Sequence, residues 1–315
     1  MKQAAPSRKR GPFHEIMRSV RSNKVTVACL IFIALLILIA IFADVLFDYQ
    51  ADIVTQNAAE RLQGMSWKHI FGTDAFGRDY FARTLYATRV TLVIALSATA
   101  LGTFLALVIG SAAAYCGGMV DAVIMRIVDI LISIPTTLVC ICIVAVLGGT
   151  VPNLILALAF CIMPKLSRIV RAQIMTSMEN EYVEAARACG AGGLRIIVSH
   201  LIPNSLGPII VSATMDISAC ILSTAGLGYL GMGVPAPAPE WGAMLSDAQE
   251  FMRKYMYLIM VPGLAICLSS IAFNLLGDGI QDAMDPRLRG FRRMNKKRLR
   301  RARAQQAPLF TGKKN

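Results

Sequence analysis

Charge is scarce in this 315-residue chain. Only 16% of residues are charged, against roughly 25% in soluble domains. Hydrophobic residues make up 56%, and mean hydropathy is +0.58. Such a balance excludes a disordered chain, a secreted disulfide scaffold and an ordinary cytosolic enzyme. Histidine is scarcer still: His14, His69 and His200 stand far apart, and the eight cysteines contain no C-x-x-C. No zinc or haem spacing exists, so neither metal nor cofactor is expected in the chain itself. The cysteines, most of them in apolar runs, read as reduced, small buried hydrophobes. No G-x-x-x-x-G-K-[ST] occurs, which leaves no phosphate loop for ATP. The stretch Gly226-Leu227-Gly228-Tyr229-Leu230-Gly231 fits G-x-G-x-x-G. It lies in an apolar run with no strand before it, so it reads as close helix packing. A membrane-embedded protease would need two intramembrane aspartates, a Ser/His pair or H-E-x-x-H, and none is found. A secondary transporter would bring more spans or internal repeats, and no repeat is visible.

What the chain has is apolar runs of bilayer length. Residues 25–43 carry no charge and are long enough to span; the run exceeds a signal-peptide core. Further spans are expected at 91–115, 122–147, 151–163, 206–232 and 255–276. The fold class is therefore all-α, a polytopic membrane protein with six spans. Seven basic residues precede the first run and twelve follow the last, from Arg287 to Lys314, within a net charge of +13. Basic residues at both ends place both termini in the cytoplasm, and an even number of spans agrees. The organisation is a tail over 1–24, a first span over 25–43, an extracytoplasmic segment over 44–89, a five-helix core over 90–287 and a basic tail over 288–315. The tail reads as a solvated segment touching lipid headgroups, not as a nucleic-acid arm.

Lys165, Arg168 and Arg171 form a basic stripe leading into a cytoplasmic loop over 165–203. Within it, Tyr182, Ala185, Ala186 and Cys189 share one helix face. Gly190, Gly192 and Gly193 break that helix. Leu194, Ile197, Val198 and Leu201 then repeat as an amphipathic second helix, limited by Pro203. The product is a helix–turn–helix elbow.

Glu184-Ala185-Ala186, Gly190 and Pro203 fall in register with the E-A-A…G signature of bacterial ABC-importer permeases, which the chain resembles; His200 and Ile202 depart mildly from it. Gly72-Thr73-Asp74, Gly77-Arg78-Asp79, Arg83, Tyr86 and Arg89 resemble the amino-terminal signature of the dipeptide/oligopeptide/nickel permease family, in its second ("C-type") subunit. So do Asp121…Met125-Arg126…Asp129, residues 241–246, residues 273–279 and Asp285-Pro286-Arg287. The resemblance covers roughly residues 15–290. It implies the type I importer-permease fold in the bacterial inner membrane, half of a pathway for di- or oligopeptides, with nickel or another small solute as the alternative cargo. It also implies partners: a second homologous permease, two ATP-binding subunits that dock on the Glu184–Gly190 loop, and an extracytoplasmic binding protein. ATP would be bound by those subunits. Small Ala185 and Ala186 would admit a partner closely, and Gly190 would permit the sharp turn.

Two charged sites remain. Arg126 and Asp129, at i, i+3, are expected to form a structural pair. Asp216 lies near the middle of the fifth span. It is expected to face the protein interior, either paired with a polar group of the partner permease or lining the pathway.

Overall fold

A computed structural model describes residues 23–284. The basic tails, with Asp285-Pro286-Arg287, lie outside the described residues. Among the described residues the structure is helical, and its one β feature is an isolated bridge between Thr73 and Asp79.

Helix α1 (Lys24–Leu46) has 23 residues, which at 1.5 Å per residue covers a hydrocarbon core about 30 Å thick. Asn23 caps it, its Oδ1 accepting from the Val25 N–H at 3.1 Å. Its buried residues are only Thr26, Ile33, Leu36 and Ala43, so it lies at the periphery of the bundle. Helix α2 (Tyr80–Cys116) is the long axis of the fold. Ala98, Gly102, Ala106, Gly110 and Ala114 recur every four residues along it and are all buried. This small-residue stripe admits helix α5 (Val151–Met178) to backbone contact. A Cβ on Gly110 would sit 2.6 Å from the Ser167 carbonyl oxygen, and one on Gly102 3.0 Å from that of Ala159. In lipid, where apolar side chains gain little by leaving their solvent, such close packing holds helices together.

The expected single span over 122–147 is instead two helices, α3 (Gly118–Ser133) and α4 (Thr136–Leu147), bent by 89°. Pro135 is the cause. Its ring disfavours helical geometry at the preceding residue, and Ile134 is extended at φ −90°, ψ 132°. Among the described residues there are thus five helices long and apolar enough to span a membrane, or six when the bent pair counts as one. Helix α5 runs fifteen residues beyond its apolar core, which ends at Met163. After it come the short helices α6 (Glu181–Ala188) and α7 (Gly193–Ile196), a π-helical stretch over Ile197–Leu201, and α8 (Ile202–Tyr229). Helices α9 (Trp241–Asp247) and α10 (Tyr257–Met284) complete the order. α8 packs along α10, where the Ser218 hydroxyl donates to the Ser270 carbonyl at 3.0 Å.

The end of the bundle opposite the elbow is closed by residues 47–79 and α9. The Gly72–Arg83 signature turns out to be the knot that fastens this cover. Asp74 accepts from the Phe76 N–H at 2.8 Å, the Arg78 N–H at 3.0 Å and Arg78 Nε at 2.7 Å. Gly77 has φ +74°, and a Cβ there would fall inside the Asn57 backbone, so no other residue fits. Asp79 caps α2 through the Ala82 N–H and holds His69 Nδ1 at 2.8 Å. Arg83 donates to the Ile53 carbonyl at 2.7 Å, and Trp241 Nε1 donates to the Thr84 carbonyl at 3.0 Å. Glu240 is fully buried and caps α9, accepting from the Gly242 and Ala243 N–H groups at 2.9 Å each. Burial raises its carboxyl above the ordinary glutamic acid range, partly offset by those two donors. Of the G-x-G-x-x-G glycines, Gly228 does serve close packing: a Cβ would meet Glu240 Oε2 at 2.3 Å.

Candidate functional site

The elbow is assembled from short-range rules. Asn180 opens α6, its side-chain amide donating back to the Ser177 carbonyl at 3.0 Å. The helix ends in a Schellman turn: the Ala191 N–H reaches the Ala186 carbonyl at 3.0 Å, and the Gly190 N–H reaches that of Arg187 at 2.9 Å. That turn needs a left-handed residue, and Gly190 supplies it at φ +77°. Nothing in this chain lies within 4 Å of a Cβ placed there, so within the subunit glycine is required by conformation and not by space. Val183 of α6, Ile196 of α7 and Leu201 are fully buried and pack with Leu166, Val170 and Ile174 of α5. These anchors tie the elbow to the helical bundle.

The rest of the elbow is open. Tyr182, Glu184, Ala185, Arg187, Ala188, Cys189 and Gly190 are exposed, and Ala186 is half-buried. Glu184, Ala185 and Gly190 thus lie on the outer surface. The second half departs from expectation. Leu194 and Val198 point outward at 77% and 56% exposure while Ile196 and Leu201 are buried, a five-residue spacing that the π-helical stretch Ile197–Leu201 brings onto one face. Pro203 does not end a helix. It stands directly after the π-helical stretch Ile197–Leu201, at the start of α8, and the chain stays helical from Gly193 to Tyr229.

Tyr115, which the sequence did not single out, braces the elbow. The Arg187 guanidinium lies over its ring at 5.9 Å, and a Cβ on Gly193 would strike that ring at 2.8 Å. Its one clue was a lone aromatic at the end of the second span. Ser177 and Ser205 join the helices behind the elbow, their hydroxyls 2.9 Å apart.

Above the elbow, the stripe on α5 is neutralised across helices. Arg168 pairs with Asp129 and Arg171 with Asp121, both on α3. The Arg126–Asp129 pair expected at i, i+3 is therefore not formed. A neighbouring helix offers Asp129 a better-placed guanidinium than its own turn does. Lys165 Nζ lies 3.9 Å from Asp216 Oδ1, a partner the linear spacing had hidden. The three bases of one α5 face thus each meet a carboxylate of another helix. The cysteine reading also needs correction. Cys140 and Cys220 are buried, but Cys116, Cys142, Cys189 and Cys267 are exposed in this chain. Cys142 and Cys267 lie on the outside of a span, where an apolar thiol faces lipid or another subunit, while Cys116 and Cys189 stand at helix-end turns.

A bundle of this order with an exposed elbow defines a membrane subunit of the type I importer-permease kind. Solved structures agree on the fold: the chain superposes on an inward-facing MetNI methionine ABC transporter with a TM-score of 0.53, at 18% identity, over 70% of this chain and 100% of that one. A second crystal form gives 0.52 over 65% and 98%.

Residues 102–290 match the family of binding-protein-dependent transport system inner membrane components, and residues 11–64 match the N-terminal TM domain of oligopeptide transport permease C. The chain is 41% identical to a dipeptide transport system permease protein of Alkalihalophilus pseudofirmus, over 88% of this chain and 91% of that one. It is 36% identical to a di/tripeptide transport system permease protein of Pseudomonas aeruginosa, over 88% and 93%. It is also 37% identical to a glutathione transport system permease protein of Escherichia coli, over 90% and 94%. The chain belongs to the binding-protein-dependent transport system inner membrane components. It is a multi-pass transport subunit of the inner membrane, not an enzyme, and works with ATPase and substrate-binding partners.

Proposed function

We propose that the chain forms half of the translocation pathway of an ATP-driven importer for short peptides. The relatives named for dipeptides, di/tripeptides and glutathione share one chemistry, a peptide of two or three residues, and each aligns with nearly the whole chain. The other half is a second homologous permease. Two ATP-binding subunits bind ATP and dock on the elbow, with Glu184, Ala185, Ala186 and Gly190 at the contact and Pro203 fixing the start of α8. The elbow end and both termini then face the cytoplasm, and the knot of residues 47–79 faces outward toward a substrate-loaded binding protein.

The observation that carries the coupling role is the elbow itself. One face is anchored by Val183 and Ile196 while the outer surface is uncovered. A helix held this way moves with α5 and α8 and transmits a displacement to the span middles. Co-purification of the chain with its genomic neighbours tests the proposal, followed by uptake of labelled alanyl-alanine into proteoliposomes containing ATP. Recovery of a second permease and ATPases with ATP-dependent uptake is the expected result. A complex lacking any ATPase, or uptake indifferent to ATP, would remove the proposal.

A further inference from the structure

A cavity lies between the helices above the elbow. Helices α5 and α8 and the α3–α4 break enclose a cavity of about 350 Å3, a volume typical of small-ligand pockets. Its wall is largely apolar, with Leu131, Val139 and Leu158 among the lining residues. Among the described residues, Lys165 and Asp216 are the only charged groups that line it.

The two charges are unequally held. Asp216 is 8% exposed, and among the described residues it has no hydrogen bond and only Lys165 within ion-pair reach. At 3.9 Å that contact is too long for a hydrogen bond, so the acceptor sites of the carboxylate stand unfilled. The Lys165 side chain is 75% exposed and free to swing on its four-carbon stem. Asp216 lies near the middle of α8, whereas Lys165 follows directly on the apolar core of α5. A carboxylate at that depth of α8 is not stable against lipid. The mouth of the cavity therefore opens on water or on another subunit.

We propose that this cavity is a station for zwitterionic short peptides. The α-ammonium of the peptide seats on Asp216 in place of Lys165, and the displaced Lys165 ammonium takes the peptide carboxylate. In the empty state Lys165 is a tethered stand-in for the substrate cation, so the buried carboxylate is never left uncompensated. One ion pair is exchanged for two, and no net charge enters the membrane. The apolar wall receives side chains without hydrogen-bond readout, which suits a cargo of variable sequence and constant termini. This inference rests on the peptide-import reading and adds to it the groups that recognise the peptide ends.

The test uses the full complex with its ATPases and binding protein in proteoliposomes, with alanyl-alanine as the probe. Cys161 lines the same cavity, so its modification by methyl methanethiosulfonate, quantified by mass spectrometry, reports occupancy directly. Alanyl-alanine should slow that modification several-fold in the wild type. In Asp216→Asn the protection should vanish and uptake fall by about tenfold, the loss of one charge-assisted contact. In Lys165→Gln, a change at an exposed side chain, the preference for the free acid over alanyl-alanine amide should fall by about tenfold. Wild type and variant share one binding protein, so its own selectivity divides out of that comparison. If Asp216→Asn fails to assemble, wild-type protection and the Lys165→Gln ratio decide. Uptake of alanyl-alanine with unchanged Cys161 reactivity, or an acid/amide ratio unaltered in Lys165→Gln, would overturn the station while leaving peptide import intact. A wild-type complex that takes up no short peptide would overturn the import reading and the station with it.

Discussion

Gly190 separates two explanations that sequence alone merges. If glycine is there because a partner needs room, damage should grow with side-chain size: alanine mild, asparagine worse, valine worst. The structure gives a different order. Gly190 has φ +77°, and a Cβ there meets nothing within 4 Å. Within the chain the cost is conformational, about 1–2 kcal/mol for an ordinary L-residue in the left-handed region, and less for asparagine, whose short polar side chain bonds locally there. A change of that size lowers the ratio of well-turned to misturned elbows by about 5–30-fold. Gly190→Asn should therefore retain more function than the smaller Gly190→Ala, with Gly190→Val lowest because β-branching stiffens the residue further. The assay is stimulation of ATP hydrolysis by loaded binding protein in proteoliposomes, normalised to assembled complex. An alanine variant that outperforms asparagine would refute the conformational argument.

Three further outcomes follow from other parts of the structure. Gly110→Val drives a side chain into the Ser167 carbonyl and Val170. Overpacking of this kind costs about 1–3 kcal/mol and should lower the amount of folded complex seen by fluorescence-detected gel filtration; wild-type yield and melting temperature would count against the α2–α5 stripe. Cysteines placed at the exposed positions Gln56 and Ala236 should react with a membrane-impermeant maleimide from outside, and one at Glu184 only from inside; the reverse pattern would invert the topology. The Glu240 carboxyl is raised by burial, so the folded state holds this proton more tightly than the unfolded one, and its contribution is present below the ordinary value of 4.5 and declines as pH rises above it. Glu240→Gln should flatten that part of the melting-temperature profile of the detergent-purified complex, whereas an unchanged slope would show that the titrating group lies elsewhere.

The elements most legible in the sequence were those set by local rules. The apolar runs placed the spans, and the glycines placed the turn that ends α6. What escaped was set by contacts distant in sequence. Asp129 and Arg126 had the right spacing, yet Arg168, 39 residues away, holds the carboxylate. Lys165 belonged by pattern to a basic stripe and proved to be the partner of Asp216. The break at Pro135 was readable in principle from the proline alone, but the hydrophobic run passes through it undisturbed. The Gly72–Arg83 signature carried no visible purpose in one dimension; only the fold shows that its acid, bases and glycines close the outer knot.

The bend between α3 and α4 bears on the life of the subunit before assembly. A right-angle break interrupts the helical ladder and leaves carbonyl and amide groups without their usual partners. Ser133 satisfies the Ile130 carbonyl at 2.6 Å, yet residues 132–138 remain exposed in the isolated chain. Hydrocarbon offers such groups no hydrogen bonds. The chain meets part of this cost itself, the Leu138 and Val139 N–H groups turning back to the Pro135 carbonyl at 3.0 and 3.3 Å, and the rest falls to whatever covers this exposed face. The bend that shapes the cavity thus also sets which face of the bundle most needs a cover.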